Sequence, residues 1–519
     1  MGANKKQTKW KNTFQQMVEN SLKSSIELVK GNINTPQVIH LHMDSITSQI
    51  YWGSKLAPHL TARLLVAAHP WPTRWGMADV WRVQLEQMHL RLDSFDPLDG
   101  QVQACLADIF YFLGQSRKVS EIAEAIFSDP STPPDEFALR VSLAGGAWLS
   151  SLVGQEKTLE AEYVAGELLK RLESNSAQTN SSRKAEALAV VLLHQSIFAR
   201  RKGNLFLALD LISQAIETLE RQENIGRSLM SELIQSRAVY YWAGANYPAA
   251  LADLEYAQYV ISMDKDNVVE LSSVHGNRGL VYWSMSEYDM AEKEFLKAIY
   301  LSEQNKSIYL LMKQVGNLGM VYFNRGDLLK ALLYIEREIE LAKISNDEYE
   351  NALGMGNKAA ILAYTDHAEQ ALPGMMSALQ KYINTDRFET LVSTLVDLST
   401  CYYRIGDLEN SSRFAQRAFD LTQEKDNPVL NVIACRVRAL SMPTPDAFEL
   451  LSITLKLAEQ YDRKLDVAGC KIFMAYLTSD SESKTRLWDE AVAILEKIGA
   501  TKWIENKKPG DPIVLPMTA

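Results

Sequence analysis

Three stretches of the chain place apolar and polar residues in the same order, forty positions apart. "HGNRGLVYWSMSEYDMA" runs from His275 to Ala291, "VGNLGMVYFNRGDLLKA" from Val315 to Ala331, and "MGNKAAILAYTDHAEQA" from Met355 to Ala371. They align without gaps, and a looser fourth copy follows. Asn277, Asn317, Asn357 and Asp397 share one column. Gly279, Gly319, Ala359 and Ser399 share the next, then Tyr282, Tyr322, Leu362 and Tyr402, and finally Ala291, Ala331, Ala371 and Ser411. A fixed period of this length is the signature of a repeat array.

Within a copy the period is helical. The apolar residues of "VGNLGMVYF" recur at helical spacing. "NRGDL" then interrupts them, with Gly326 suited to the turn and Asp327 to capping the next helix. "LLKALLYIEREIELA" resumes the pattern, with Ala331, Ile335 and Glu338 on one face. A small residue in each helix (Gly319, Ala331) lets the two backbones approach, and Tyr322 fills the space between them. Strands would need alternation and β-branched enrichment, and neither is present. Each copy therefore predicts a helix–turn–helix.

The matches at Leu318, Gly319, Tyr322, Gly326, Asp327 and Ala331 in "NLGMVYFNRGDLLKALLYI" resemble the tetratricopeptide repeat. The usual period of that family is 34, so forty implies longer helices. Units of this length resemble those of kinesin light chains and of the sensor arms of large bacterial signalling ATPases such as the maltose-regulon activator. The resemblance implies an all-α chain, a right-handed α-solenoid of about ten such units, with the first helix of each on the concave side. Well-formed units are expected over 271–425. Diverged ones are expected over 56–175 and 176–270, the latter with Gly203, Ala208 and Ala250 in the matching columns, and capping units over 426–504. In the first diverged unit Pro70 and Pro72 fall near the end of its first helix. Residues 1–55 show no clear unit, and 505–519 read as an extended tail.

In the family, the position two before the conserved-type glycine faces the groove. Asn277, Asn317 and Asn357 hold it here. An amide there can bond the N–H and C=O of an extended peptide whatever its sequence. Gly276, Gly316 and Gly356 would leave room for a ligand backbone. The alternative is structural: the amides bridge neighbouring units and the glycines permit tight packing. The same column holds His194 and Ser236 upstream and Asp397 downstream. Arg404, seven residues past Asp397, should face the groove too, meeting a ligand carboxylate or pairing with Asp397.

Composition narrows the function. Of 519 residues, 47% are apolar and 23% charged, which allows a large core. A net charge of −10 argues against a basic nucleic-acid groove. No run of eighteen apolar residues predicts a membrane span. Cys105, Cys401, Cys435 and Cys470 lie far apart, without zinc or disulfide spacing, which suits a reducing cytoplasm. His40, His42 and Asp44 form an H-x-H-x-D string, but the other histidines do not complete a binuclear metal set. "GMGNKA" at Gly354 lacks the Gly-Lys-Ser/Thr ending of a phosphate loop. No cofactor and no catalytic constellation is expected, and residues 1–55 are too short for most catalytic folds. Trp71, Trp75 and Trp81 could cap the first unit or form a contact patch. Two readings follow. One is a scaffold that binds a protein or peptide in its groove, alone or within a multiprotein complex. The other is a regulatory sensor subunit acting in trans on a partner.

Overall fold

The structure, a computed structural model, describes residues 2–31, 42–69, 77–94, 96–155, 157–174, 181–222, 227–262, 268–304, 307–345, 348–365, 367–383, 387–423, 425 and 427–518. Every regular element among them is a helix, from Gly2–Gly31 to Ser481–Lys497. His40, Pro70, Trp71, Pro72 and Trp75 lie outside the described residues.

The chain forms two compact units. One comprises Met1–Phe198, Asp210–Ile234 and Ala257–Glu270; the other comprises Ala199–Leu209, Gln235–Tyr256 and Leu271–Ala519. In the first unit the helices Gly2–Gly31, Met43–Leu56 and Pro58–Ala68 pack together, so residues 1–55 contribute helices to a shared core. Trp81 is buried in that core, its indole N–H donating to the Leu65 carbonyl at 3.4 Å. Of the two expectations for the Trp71, Trp75 and Trp81 group, the burial of Trp81 fits the capping one at that position. The helical stretch Pro134–Gly154 is long and apolar enough, by length and composition alone, to cross a membrane. Its most apolar window is 61% buried, with Phe137, Leu149 and Leu152 in the core, the environment of an internal helix. Val141–Gly145 forms a π-helical turn within it.

The second unit shows why the repeat columns exist. Helices Val268–Ser284 and Tyr288–Gln304, Ile308–Asn324 and Leu328–Ser345, and Phe388–Arg404 and Leu408–Gln423 succeed one another as packed pairs. In the third copy a 3₁₀ turn, Ala368–Ala371, leads into Leu372–Tyr382. A Cβ on Gly319 would sit 2.8 Å from the Ile335 side chain, and one on Gly279 would sit 2.8 Å from the Phe295 ring. Both distances are shorter than real side chains tolerate, so glycine fits these two positions. Where the pair becomes Ser399 and Ser411, the hydroxyls bond instead. Ser399 Oγ donates to the Ser411 carbonyl at 2.8 Å and lies 3.1 Å from its Oγ. Gly326 adopts φ +82° in the interhelical turn, and Asp327 accepts from the Lys330 N–H at 3.3 Å, as a capping residue should. Ser286 takes the same turn position in the preceding copy at φ +59°. The core runs without a break from Trp283 to Met517.

Candidate binding face

The first helices of the second unit bring the expected residues to one side, each with its own partners. Asn277 donates to Gln235 Oε1 at 3.3 Å, a bond to a side chain of the preceding repeat. Asn357 bonds to the Glu338 carboxylate. Asn317 is half-buried. Two of the three amides thus have partners within the fold.

The glycines beside them divide in the same way. A Cβ on Gly276 would collide with the Gln314 amide, and one on Gly316 would collide with the Glu338 carboxylate. The space they leave is filled by these two buried side chains. Gly356 would meet only Ala378, at 3.8 Å. Glu338 is 2% exposed, and its Oε2 has no hydrogen-bond partner. Burial, reinforced by nearby Glu350, pushes its carboxyl up to about 8, against the pull of the Asn357 bond.

Asp397 is half-buried, and desolvation pushes it up to about 7. It has no ion-pair partner among the described residues, and neither does Arg404. Arg404 is exposed, and its guanidinium lies 5.4 Å from the centroid of the Tyr364 ring. Among the described residues it stacks rather than pairing with Asp397. His194, in the same column of the first unit, is buried with its ring nitrogens 3.0 Å from Ser150 Oγ and 2.9 Å from the Val190 carbonyl.

A second set of residues on this face escaped the sequence. Beyond Ser481–Lys497 the chain makes a 3₁₀ turn, Thr501–Ile504, and then runs irregularly from Lys507 to Thr518. Ile513, Val514, Leu515 and Met517 are buried against the repeats. Trp503 donates to the Asn324 carbonyl at 2.8 Å and packs edge-on to Phe323 and Tyr364. The main chain that follows is held through its carbonyls. Tyr364 Oη lies 3.5 Å from the Leu515 carbonyl. Arg436 donates to the carbonyls of Leu515 at 3.2 Å and Pro516 at 3.0 Å, and Arg463 donates to that of Thr518 at 2.6 Å. Asn324 Nδ2 donates to Thr518 Oγ1 at 2.9 Å.

Beneath the segment, Asp466 accepts from Arg463 at 2.7 Å and also pairs with Arg436. Two buried guanidiniums thus share one carboxylate, and carbonyls of the segment accept further hydrogen bonds from both. A small cavity of about 10 Å³, roughly the space of one water, lies at the end of the segment between Ser284, Asn324, Arg463 and Thr518.

One arithmetic signal could have found part of this set. Arg404 is seven residues past Asp397. The same step from Asn277, Asn317 and Asn357 reaches Ser284, Asn324 and Tyr364. Arg436 and Arg463 fall where the repeat pattern has faded, and nothing in the sequence pairs them with Asp466.

Residues 272–305 match the family profile described as "Tetratricopeptide repeat". The forty-residue columns extend that register through the following copies. The stretch 272–305 is a tetratricopeptide repeat. Among solved structures, a Rap protein complexed with competence and sporulation factor is similar at 13% identity and TM-score 0.49, over 77% of this chain and 98% of that one. NprR in complex with its cognate peptide NprX is similar at 14% identity and TM-score 0.45, over 61% and 91%. A signal-transduction ATPase with a tetratricopeptide-repeat sensor from Pyrococcus horikoshii is similar at 12% identity and TM-score 0.39, over 82% and 74%. No curated protein matches the sequence.

Proposed function

We propose that this protein is a scaffold that binds a protein or peptide partner in extended form on the first-helix face of its second unit, and that it is not an enzyme. The observation that supports this is the seat of residues 511–518. Tyr364, Arg436 and Arg463 hold the main-chain carbonyls of an extended segment there, and Asn324 of helix Ile308–Asn324 bonds its Thr518 hydroxyl. These bonds go to the main chain, as in a peptide groove, while the buried positions accept apolar side chains. Asn317, Asp397 and Arg404 continue the face as polar groups without hydrogen-bond or ion-pair partners among the described residues. Gly276 and Gly316, with Asn277 and Asn357, shape the face from behind by accommodating or bonding Gln314, Glu338 and Gln235, and Gly356 leaves room beside Ala378. The regulatory-sensor reading remains a use of the same face rather than a different chemistry.

Affinity purification of the tagged full chain followed by mass spectrometry identifies the partner. The reading requires that an Asn317→Ala, Arg404→Ala variant with an unchanged melting temperature recover much less of it. Equal recovery would remove the face from the account.

A further inference from the structure

We infer that residues 511–518, "DPIVLPMT", are a displaceable occupant of the binding face, and that the ligand which displaces them is an extended, uncharged, apolar segment read through its carbonyl oxygens. The inference rests on the proposed function and names both its ligand class and its control.

Three features separate this segment from an ordinary core element. First, it has no helix of its own and makes no pairing with a strand. Its hold on the molecule is a line of carbonyls accepting from Arg436 and Arg463, together with the consecutive buried side chains of Ile513, Val514, Leu515, Pro516 and Met517. That is how a bound peptide is held. Second, the connector leading to it is exposed and set off from the last helix by two left-handed residues. Residues 505–509 are exposed, and Asn506 at φ +61° and Gly510 at φ +90° are left-handed bends at either end of it. A turn of this kind can re-aim the chain without disturbing the helix before it. Third, the seat is chemically incomplete without an occupant. Arg436 and Arg463 are each at most 6% exposed and share Asp466, so one buried positive charge exceeds the carboxylate available. Carbonyl oxygens of Leu515, Pro516 and Thr518 supply the missing acceptors. A replacement must offer the same: closely spaced carbonyls, apolar side chains, and no positive charge beside the two arginines.

Tethering sets the competition. A short flexible connector presents its segment at an effective concentration of about 1 mM. A free peptide of equal intrinsic affinity at ~10 μM is then excluded about a hundredfold. A physiological ligand must bind more tightly or reach further along the face, toward Asn317 and Arg404.

The test uses a fluorescein-labelled synthetic peptide of sequence DPIVLPMT. It is titrated by fluorescence anisotropy into the wild-type full chain and into the Leu515→Asp variant, which places a charge at a fully buried position and expels the segment. The expected result is no detectable binding at 10 μM to wild type and saturable binding to the variant, at least about a hundredfold tighter in apparent affinity. A Leu515→Asp, Arg463→Lys chain should bind the peptide several-fold more weakly, since the planar fork is lost. A second preparation guards against misfolding: a protease site inserted between Lys508 and Pro509 lets the segment be released from the folded protein. After cleavage and dilution it should leave, and labelled peptide should bind. Equal binding to wild type and variant, or a folded variant that ignores the peptide, overturns the inference. So does a cleaved chain that unfolds, because the segment would then be part of the core. In either case a partner whose recovery still depends on Asn317 and Arg404 keeps the proposed function standing.

Discussion

Single residues reveal which columns of the repeat are about packing. Gly279 abuts the Phe295 ring, so Gly279→Ala forces a methyl to within 2.8 Å of aromatic carbons. Overpacking of this kind costs about 1–3 kcal/mol, and the variant should melt several degrees lower. Ser399 and Ser411 give a sharper case, because they replace the small pair with a hydroxyl pair. Either single change, Ser399→Gly or Ser411→Ala, should destabilise by about 1 kcal/mol, while the double change restores the apolar pairing and should cost less than the sum. Thermal melts of the four proteins check this cycle. Glu338 titrates where it is costly. Its folded carboxyl stands near 8 against an ordinary 4.5, so the stability it contributes is fully present below about 4.5 and is lost as pH rises through about 8. Glu338→Gln should therefore raise the melting temperature by several degrees at pH 8.5 and change it little near pH 5. A variant that is equally or less stable at pH 8.5 would show that the buried carboxylate is satisfied in a way its surroundings do not indicate. These inward roles were only half legible in the sequence. The spacing of Asn277, Asn317 and Asn357 announces a shared face, but not that Gln235 and Glu338 reach two of them, since those partners lie on other helices.

At the scale of elements, the helix–turn–helix pairs were readable because several local signals agreed. The period set the helices, Gly326 the turn and Asp327 the cap, and each is found where the spacing puts it. The turn at Ser286 was less readable, since a serine at φ +59° gives no warning in the sequence. The segment after Trp503 was the least readable. Its extended character follows from its prolines and its lack of helical spacing. Its burial does not, because Ile513, Val514, Leu515 and Met517 are set into a face built from helices distant in sequence. The helices from Pro428 onward belong to the same core as the well-formed repeats, and Leu430 and Ile433 are buried next to Phe414 and Ala418. A chain ending at residue 425 would expose that surface. It should aggregate or lose its cooperative melt, because terminal units cap a repeat array. A truncated chain that melts like the full one would mean that the later helices stand apart.

For the molecule as a whole, the central claim concerns the second unit: its first-helix face binds an extended partner. The residues of that face fall into two classes with opposite expectations. Asn277 and Asn357 are already bonded within the fold, so replacing them with alanine should lower stability and affect binding only as folding falls. Asn317, Asp397 and Arg404 are without such bonds among the described residues and should matter to the partner alone. If each contributes about 0.5–1.5 kcal/mol, removing the three weakens binding by roughly ten- to two-thousand-fold. The decisive measurement is the affinity of the co-purified partner, taken beside the melting temperature, for the Asn317→Ala, Asp397→Ala, Arg404→Ala chain and for the Asn277→Ala, Asn357→Ala chain. The account predicts a large loss of affinity at an unchanged melting temperature for the first, and a lowered melting temperature for the second. Unchanged affinity in the first variant, with the protein folded, would contradict it.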